Sequence, residues 1–126
     1  MTISRRALVS AAAFASAASL VPRVASWSRD RNMWVRRASA VSLIPSARKG
    51  LALDTAYVVA KRLHADPEDL IQKAAGWMLR EAGKTNPVRL DRYLRAHVGV
   101  IPRTTFRYAI ERFDERKRRE LLALSP

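Results

Sequence analysis

Residues 73–81, KAAGWMLRE, place a tryptophan among cations in a segment with helical spacing. On a helix, Trp77 has Lys73, Arg80 and Lys84 at i−4, i+3 and i+7, and these positions share one side. An aromatic plane beside cations suits a polyanion with stackable or sugar surfaces, which is the chemistry of nucleic acid. The alternative stays open that Trp77 packs against a neighbouring helix and that the cations form a solvated face.

The opposite side of the same helix is apolar. Four residues at helical spacing predict a buried stripe that excludes Trp77, namely Ile71, Ala75, Met78 and Ala82. Gly76 adjoins Trp77 inside this helix, where glycine costs about 1 kcal/mol relative to alanine. Such a glycine often marks the close approach of another backbone, so we expect a second element to pack on Gly76.

A second group of candidate residues consists of Trp34, Arg36 and Arg37. Trp34, Ala38 and Val41 recur at i, i+4 and i+7, which predicts that they form the inward face of a helix. Arg37 flanks that face and could reach a phosphate, whereas Arg36 points more nearly away. Both arginines could instead serve only solubility.

The charge of the chain favours an anionic partner. Its 126 residues include 24 Lys and Arg against 11 Asp and Glu, a formal net charge of +13. Cations recur from Arg29 to Arg107 and not in one tail, which predicts a basic face built from several elements. This excess favours phosphate backbones or anionic membranes and does not specify a fold.

Several classes of site are excluded by what the sequence lacks. There is no cysteine, and therefore no disulfide, thiolate metal site or cysteine nucleophile. His64 and His97 are far apart, each without a ligand at metal spacing, so neither is predicted to bind a metal. The four glycines are scattered singly and form no phosphate-binding loop. We expect neither a metal nor a cofactor.

Most acidic residues have a structural interpretation in the predicted helices. Asp66 is a predicted N-cap, followed in the first turn by Glu68 and Asp69. Two further acids have the spacing of surface ion pairs, Glu81 with Lys84 and Asp91 with Arg95. A nucleophile with its base is not evident, so the residues alone predict a helical, basic nucleic-acid binder.

The elements that must position these residues are predicted to be helices, since strand signals are nearly absent. The predicted helices span residues 7–20, 33–44, 51–63, 67–82, 87–97, 103–113 and 115–124. Their predicted end signals are Pro45 and Gly83 as stops, and Asn86 and Asp114 as N-caps. Two-helix units recur at about 35 to 40 residues, near the period of HEAT-type repeats. We expect an all-α fold of antiparallel helix pairs in a HEAT-like solenoid, with a bundle without repeats as the alternative.

The N-terminal residues 1–21 form an Ala-rich segment ahead of a domain at residues 22–126. Arg5 and Arg6, followed by an apolar run to Val21, have the pattern of a twin-arginine export signal. A packed Ala-rich helix is the interpretation we favour, because the rest of the chain suits an intracellular partner. The run is too short and too rich in small residues to predict a membrane span. We expect a cytoplasmic, nucleoid-associated protein, with export as the alternative.

Three motifs together resemble the DNA alkylation repair family, the HEAT-like-repeat DNA glycosylases that excise N3- and N7-alkylated purines. They lie at residues 27–38 (WSRDRNMWVRRA), at residues 69–87 with DLIQKAAGWMLRE and KTNP, and at residues 102–113 (PRTTFRYAIERF). The resemblance implies an all-α solenoid whose concave, basic surface cradles duplex DNA without a small-molecule cofactor.

By this resemblance, Trp77 matches an active-site tryptophan that lies against the DNA backbone at the lesion. Arg37 matches an arginine that contacts the DNA at the same place. The predicted DNA-contacting set is completed by the cations beside these two, namely Lys73, Arg80, Lys84 and Arg36. The implied partner is double-stranded DNA with alkylated purines, processed without swinging the damaged base into a pocket.

The resemblance also implies a catalytic aspartate in a Trp/Asp segment upstream of the Trp-x-Arg-Arg motif, and such a segment is not found before residue 22. We therefore assign no catalytic residue and expect a truncated solenoid that binds DNA but excises bases poorly. A non-catalytic helical-repeat DNA-binding module is the alternative. A cut solenoid exposes an apolar end face, so we expect self-association or pairing with a missing N-terminal half.

Overall fold

The computed structural model describes residues 20–126, and every regular element in this part of the chain is helical. Residues 20–26 are helical and lead into a 3-10 turn at Trp27–Arg29. The helices that follow are α1 (Met33–Val41), α2 (Ile44–Arg48), α3 (Leu53–Leu63), α4 (Asp69–Ala82), α5 (Pro87–Ala96), α6 (Arg103–Ala109) and α7 (Glu115–Leu124). The predicted all-α class is confirmed. The twin-arginine pattern and all but the last residue of the predicted helix at residues 7–20 lie outside the described residues.

The chain from Met33 to Arg48 forms two helices, so the prediction of one helix ended by Pro45 is wrong. Helix α1 ends at Val41, and Pro45 lies in the first turn of α2. In a first turn the backbone N–H has no partner within the helix, so proline loses no hydrogen bond there. Pro45 therefore begins a helix where a stop was expected.

The predicted inward face of α1 is wrong at Trp34, whereas Val41 packs against the core as predicted. Trp34 is 62% exposed, and the buried residues of α1 are Ser39 and Ala40. The physical reason is the contact that Arg36 makes with Asp66, just before α4, because it turns the side of α1 that carries Arg36 and Ala40 toward α4. Trp34 lies on the other side of the helix and faces solvent.

The predicted caps of α5 and α7 are confirmed. The side chain of Asn86 accepts a hydrogen bond from the backbone N–H of Arg89 (3.0 Å), with Pro87 in the first turn of α5. The side chain of Asp114 accepts one from the N–H of Lys117 (2.8 Å). Each cap satisfies a backbone donor that has no partner within its helix.

Asp66 does not cap α4, contrary to the prediction. The helix begins at Asp69 after Glu68, whose side chain makes no capping bond. Asp66 Oδ1 instead accepts a hydrogen bond from the N–H of Glu68 (3.0 Å), and Oδ2 pairs with Nε of Arg36 (2.7 Å). The carboxylate therefore closes the turn before α4 and joins it to α1. At its other end, α4 stops at Gly83 as predicted.

Two predicted boundaries shift by a few residues. Helix α3 begins at Leu53 and not at residue 51, after Ala52 in the left-handed region with φ 53°. Helix α6 ends at Ala109 and not at Phe113, because residues 110–112 continue as turns. Neither change alters the order of the helices.

Helix α4 is the centre of the fold and contacts α1, α2, α3, α5 and α6. Two ion pairs show how α1 and α2 lie along it. Arg36 of α1 reaches Asp66 just before α4 begins, and Arg48 at the end of α2 reaches Glu81 near the end of α4. The segment α1–α2 therefore runs parallel to α4.

Helix α6, on the other side of α4, also runs parallel to α4. The hydroxyl of Thr105, early in α6, donates to the carbonyl oxygen of Gln72, early in α4, at 2.8 Å. Farther along, Arg80 near the end of α4 pairs with Glu111, just after α6. Helices α1, α4 and α6 thus form a first row of parallel neighbours.

Helices α3, α5 and α7 form a second row. Arg89 of α5 pairs with Asp54 of α3 (2.6 Å), and Tyr93 of α5 hydrogen-bonds His64 at the end of α3 (2.7 Å). Two ion pairs join α5 to α7 in the same order along both helices, Asp91–Lys117 and Arg95–Glu120. Two rows of neighbouring helices are the arrangement expected for stacked helix pairs. That these pairs curve into a HEAT-like solenoid stays a prediction.

Candidate nucleic-acid interface

Trp77 lies on the side of α4 away from the buried stripe. The four predicted stripe residues, Ile71, Ala75, Met78 and Ala82, are fully buried, which confirms that prediction. Trp77 itself is half-buried, and part of its ring packs against the hydrophobic core. One part of the Trp77 ring therefore packs inside the protein, and another part is accessible to solvent.

The cations around Trp77 differ in their partners. Lys73 Nζ pairs with Asp69 Oδ2 at 2.8 Å, and the hydrogen bond and charge of Asp69 raise the pKa of Lys73. Arg80 pairs with Glu111. Lys84 is exposed and makes no ion pair with any described residue. Two of the three cations are thus neutralised in part by local acids.

Arg36 and Arg37 are adjacent but have different environments. Arg36 pairs with Asp66, and its NH1 donates to the carbonyl oxygens of Asp30 (3.1 Å) and Arg31 (3.0 Å). Its guanidinium is therefore committed to contacts that hold α1 in place. Arg37 is partly exposed and forms no ion pair or side-chain hydrogen bond within residues 20–126. Contact of either residue with DNA stays a prediction.

Gly76 is the point where α4 and α6 meet most closely. A Cβ on residue 76 would lie 2.5 Å from Cβ of Tyr108 and 2.8 Å from the carbonyl oxygen of Thr105. The predicted approach of a second backbone is confirmed. Tyr108 and Thr105 of α6 therefore lie directly against α4 at Gly76.

Glu81 is a buried carboxylate that binds arginines from two other elements. Its predicted surface pair with Lys84 is wrong. Nε of Arg48 lies 3.1 Å from Oε2 of Glu81, and NH2 of Arg112 lies 3.1 Å from Oε1. Glu81 is on the side of α4 that faces α2 and the turn after α6, so it meets these arginines first.

The electrostatics of Glu81 follow from these contacts. Burial would raise the pKa of Glu81, but the hydrogen bond from Arg48 and the charges of Arg112, Arg48 and Lys84 outweigh it. The pKa of Glu81 is therefore lower than that of an ordinary glutamate, and the side chain is ionised at neutral pH. The other predicted pair, Asp91 with Arg95, is confirmed at 3.0 Å.

An open groove of about 590 Å³ lies between α4 and α6. It is lined by Arg80, which is one helical turn from Trp77, and by Thr104, Arg107, Tyr108 and Glu111. The three α6 residues were not among the predicted site residues. Their spacing could have indicated them, because it places them on the side of α6 opposite the buried Thr105, Phe106 and Ala109.

No group of three or more His, Asp and Glu side chains between residues 20 and 126 is arranged to hold a metal ion. None of the helices described combines the length and the apolar character that crossing a bilayer requires.

Comparison with known proteins links the chain to one family. Residues 6–113 match the sequence model of the family described as DNA alkylation repair enzyme. No curated protein and no solved structure matches the chain. The match includes the α1, α4 and α6 motifs that carry Arg37, Trp77 and Tyr108.

Proposed function

The chain belongs to the DNA alkylation repair enzyme family, and we propose that it binds duplex DNA that carries N3- or N7-alkylated purines. The observation that supports this proposal is the partly buried Trp77, which keeps some exposed surface on the side of α4 that also carries Lys73 and Arg80. Aromatic faces attract cations, and an N-alkylated purine is positively charged. The neighbouring basic side chains suit the flanking phosphates.

The acidic partners of each basic residue in the free protein indicate its role in DNA binding. Arg37 and Lys84 have no acidic partner within residues 20–126, so they can bind a phosphate without losing an ion pair. Lys73 and Arg80 would exchange Asp69 and Glu111 for phosphate oxygens. Surface ion pairs contribute little to stability, so this exchange does not oppose binding strongly. Arg36 contributes mainly by holding α1.

Base release requires more than binding. Hydrolysis of an N-glycosidic bond needs a carboxylate that stabilises the oxocarbenium-like sugar and helps to position water, as in sugar hydrolysis generally. Asp69 and Glu111 pair with the cations beside Trp77, and neither lies in the Trp/Asp segment upstream of the Trp-x-Arg-Arg motif that the resemblance implies. We therefore expect salt-sensitive binding with little base release from this chain. The second candidate function is a non-catalytic DNA-binding module of the same family, which would bind with no base release.

The test is duplex binding by the purified 126-residue chain. Fluorescence anisotropy would compare a plain duplex with one that contains N7-methylguanine, for the wild type and Trp77→Ala. We expect Trp77→Ala to lose the preference for the alkylated duplex, by about tenfold or more, because stacking contributes about 1–3 kcal/mol. Trp34→Ala, which removes an exposed tryptophan of α1, is the matched control.

Two results would contradict parts of this proposal. Equal affinity of Trp77→Ala and wild type for the alkylated duplex would remove Trp77 from the binding surface. Rapid release of 3-methyladenine from alkylated DNA by the wild-type chain would show that it is an active glycosylase and not a binder alone.

A further inference from the structure

The groove between α4 and α6 has the features of a site for a single phosphate group. Arg80 lies on its α4 side and Arg107 on its α6 side, and the hydroxyl of Thr104 is also in the lining. Guanidinium groups and a hydroxyl are the usual protein donors to phosphate oxygens. Tyr108 adds an aromatic surface that is 37% exposed.

The charges in the groove are not balanced within the protein. Arg107 is exposed and forms no ion pair with the residues described. Arg80 pairs with Glu111 through NH1, and its buried Nε lies 3.9 Å from Oε1 of Glu81 without a hydrogen bond. Glu81 also binds Arg48 and Arg112, so it neutralises Arg80 only in part.

Glu111 is the acidic side chain in the lining of the groove. It is mostly exposed, so its pair with Arg80 is held only weakly against competition from another anion. A phosphate that enters the groove would meet Arg107 unopposed and would compete with Glu111 for Arg80.

We propose that this groove binds one backbone phosphate of the DNA strand next to the nucleotide at Trp77, with the adjoining sugar against Tyr108. The inference rests on the proposed function and extends its contact surface from α4 to α6. Arg80 and Arg107 bind the phosphate from opposite sides, and Thr104 donates a hydrogen bond. Glu111 holds Arg80 in the free protein and is displaced when DNA binds.

The location next to Trp77 supports DNA as the occupant. Arg80 lies one helical turn from Trp77 and also lines the groove, so the groove adjoins the side of α4 that carries Trp77. A strand that contacts Trp77 therefore passes the groove within a short distance.

The salt dependence of binding to a plain duplex tests the groove. Each phosphate that a cation neutralises contributes about −0.9 to the slope of log K against log salt concentration. We expect Arg107→Gln to make the slope less negative by about 1 and to weaken binding at low salt. Arg92→Gln, which removes an exposed and unpaired arginine of α5, should leave the slope unchanged.

Removal of the acid should have the opposite effect. Glu111→Gln removes the acid that pairs with NH1 of Arg80 and is expected to strengthen plain-duplex binding by about two- to fivefold, the range of an exposed ion pair. Glu120→Gln also removes an acid paired with an arginine and leaves Arg95 its pair with Asp91, so it is the matched control and should change nothing. Circular dichroism and thermal melting of each variant establish that it is folded.

The outcomes separate the groove from the proposed function. If Trp77→Ala weakens binding but Arg107→Gln and Glu111→Gln behave like wild type, the groove is not a phosphate site and the proposed function stands. If the folded wild type binds no DNA at low salt, both proposals are wrong. If Arg107→Gln and Arg92→Gln lower the slope equally, the effect is general charge and the groove assignment fails.

Discussion

Gly76 and Tyr108 pack so closely that a methyl group on residue 76 would lie 2.5 Å from Cβ of Tyr108. This contact fixes the spacing of α4 and α6, and therefore the width of the groove between them. A glycine inside a helix is otherwise unfavourable, so its presence here is explained by the neighbour that it admits.

Replacement of Gly76 by alanine should therefore lower stability although alanine favours helices. The clash with Tyr108 and Thr105 forces α6 outward, and overpacking of this kind costs about 1–3 kcal/mol. Urea unfolding would measure the change. Gly99→Ala is the control, because a Cβ on residue 99 meets nothing within 4 Å. A more stable Gly76→Ala protein would show that α6 adapts without loss.

Loss of the Glu81 charge should destabilise the protein more than loss of any surface acid. Glu81→Gln leaves Arg48 and Arg112 without a carboxylate, and we expect a loss of about 2–3 kcal/mol, since both arginines keep some contact with water. Glu115→Gln, which breaks an exposed pair with Arg119, should change stability by less than about 0.5 kcal/mol. Equal effects in urea unfolding would contradict a special role for Glu81.

The pH dependence of stability should include a contribution from His64. Burial, with a smaller contribution from the nearby charge of His97, lowers the pKa of His64 to about 4. Because the unfolded chain binds this proton near its ordinary value, about 6.5, the contribution is complete above that pH. It is lost as the pH falls from about 6.5 to about 4, by at most about 3 kcal/mol.

Variants can isolate this contribution. His64 hydrogen-bonds Tyr93, whose ring packs against Tyr57 and His97, and Arg89 lies over the ring of Tyr57. His64→Gln should flatten the decrease in the free energy of unfolding between pH 6.5 and pH 4, whereas His97→Gln should leave most of it. A wild-type curve that His64→Gln does not change would show that His64 has the same pKa in the folded and unfolded states.

Arg36 and Arg37 should separate stability from DNA binding. Arg36→Gln loses the pair with Asp66, and we expect a loss of about 1.5–3 kcal/mol, typical of a hydrogen bond to a charged group. Arg37→Gln should leave the melting temperature unchanged and weaken binding to the alkylated duplex. Thermal melting and anisotropy on both variants check the two effects. If Arg36→Gln weakens DNA binding without loss of stability and Arg37→Gln does not weaken it, the DNA contact belongs to Arg36.

The features that the sequence predicted correctly depend on short spacings. The buried stripe through Ile71 and Met78, the cap at Asn86 and the Asp91–Arg95 pair all lie within one or two helical turns. Such contacts follow from the geometry of a single helix and need no knowledge of its neighbours.

The features that were missed depend on residues far apart in the chain. Glu81 lies 33 residues from Arg48 and 31 from Arg112, so the nearer Lys84 was the only partner that spacing could propose. The orientation of Trp34 was missed for the same reason, because α1 is turned by Arg36 on Asp66, 30 residues away. The groove at Arg107 was missed because it depends on the close packing of α6 against α4 at Gly76.

The ion pairs and hydrogen bonds that join neighbouring helices within each row connect residues at similar distances along the chain. Arg36 and Asp66 are 30 residues apart, Gln72 and Thr105 are 33 apart, and His64 and Tyr93 are 29 apart. Each helix is therefore coupled mainly to its nearest neighbour, and cooperativity must pass along the rows step by step. Local unfolding of α7 need not disturb α1, whereas local unfolding of α4 removes the contacts that connect α1 with α6. The surface around Trp77 is thus carried by the part of the protein that unfolds last.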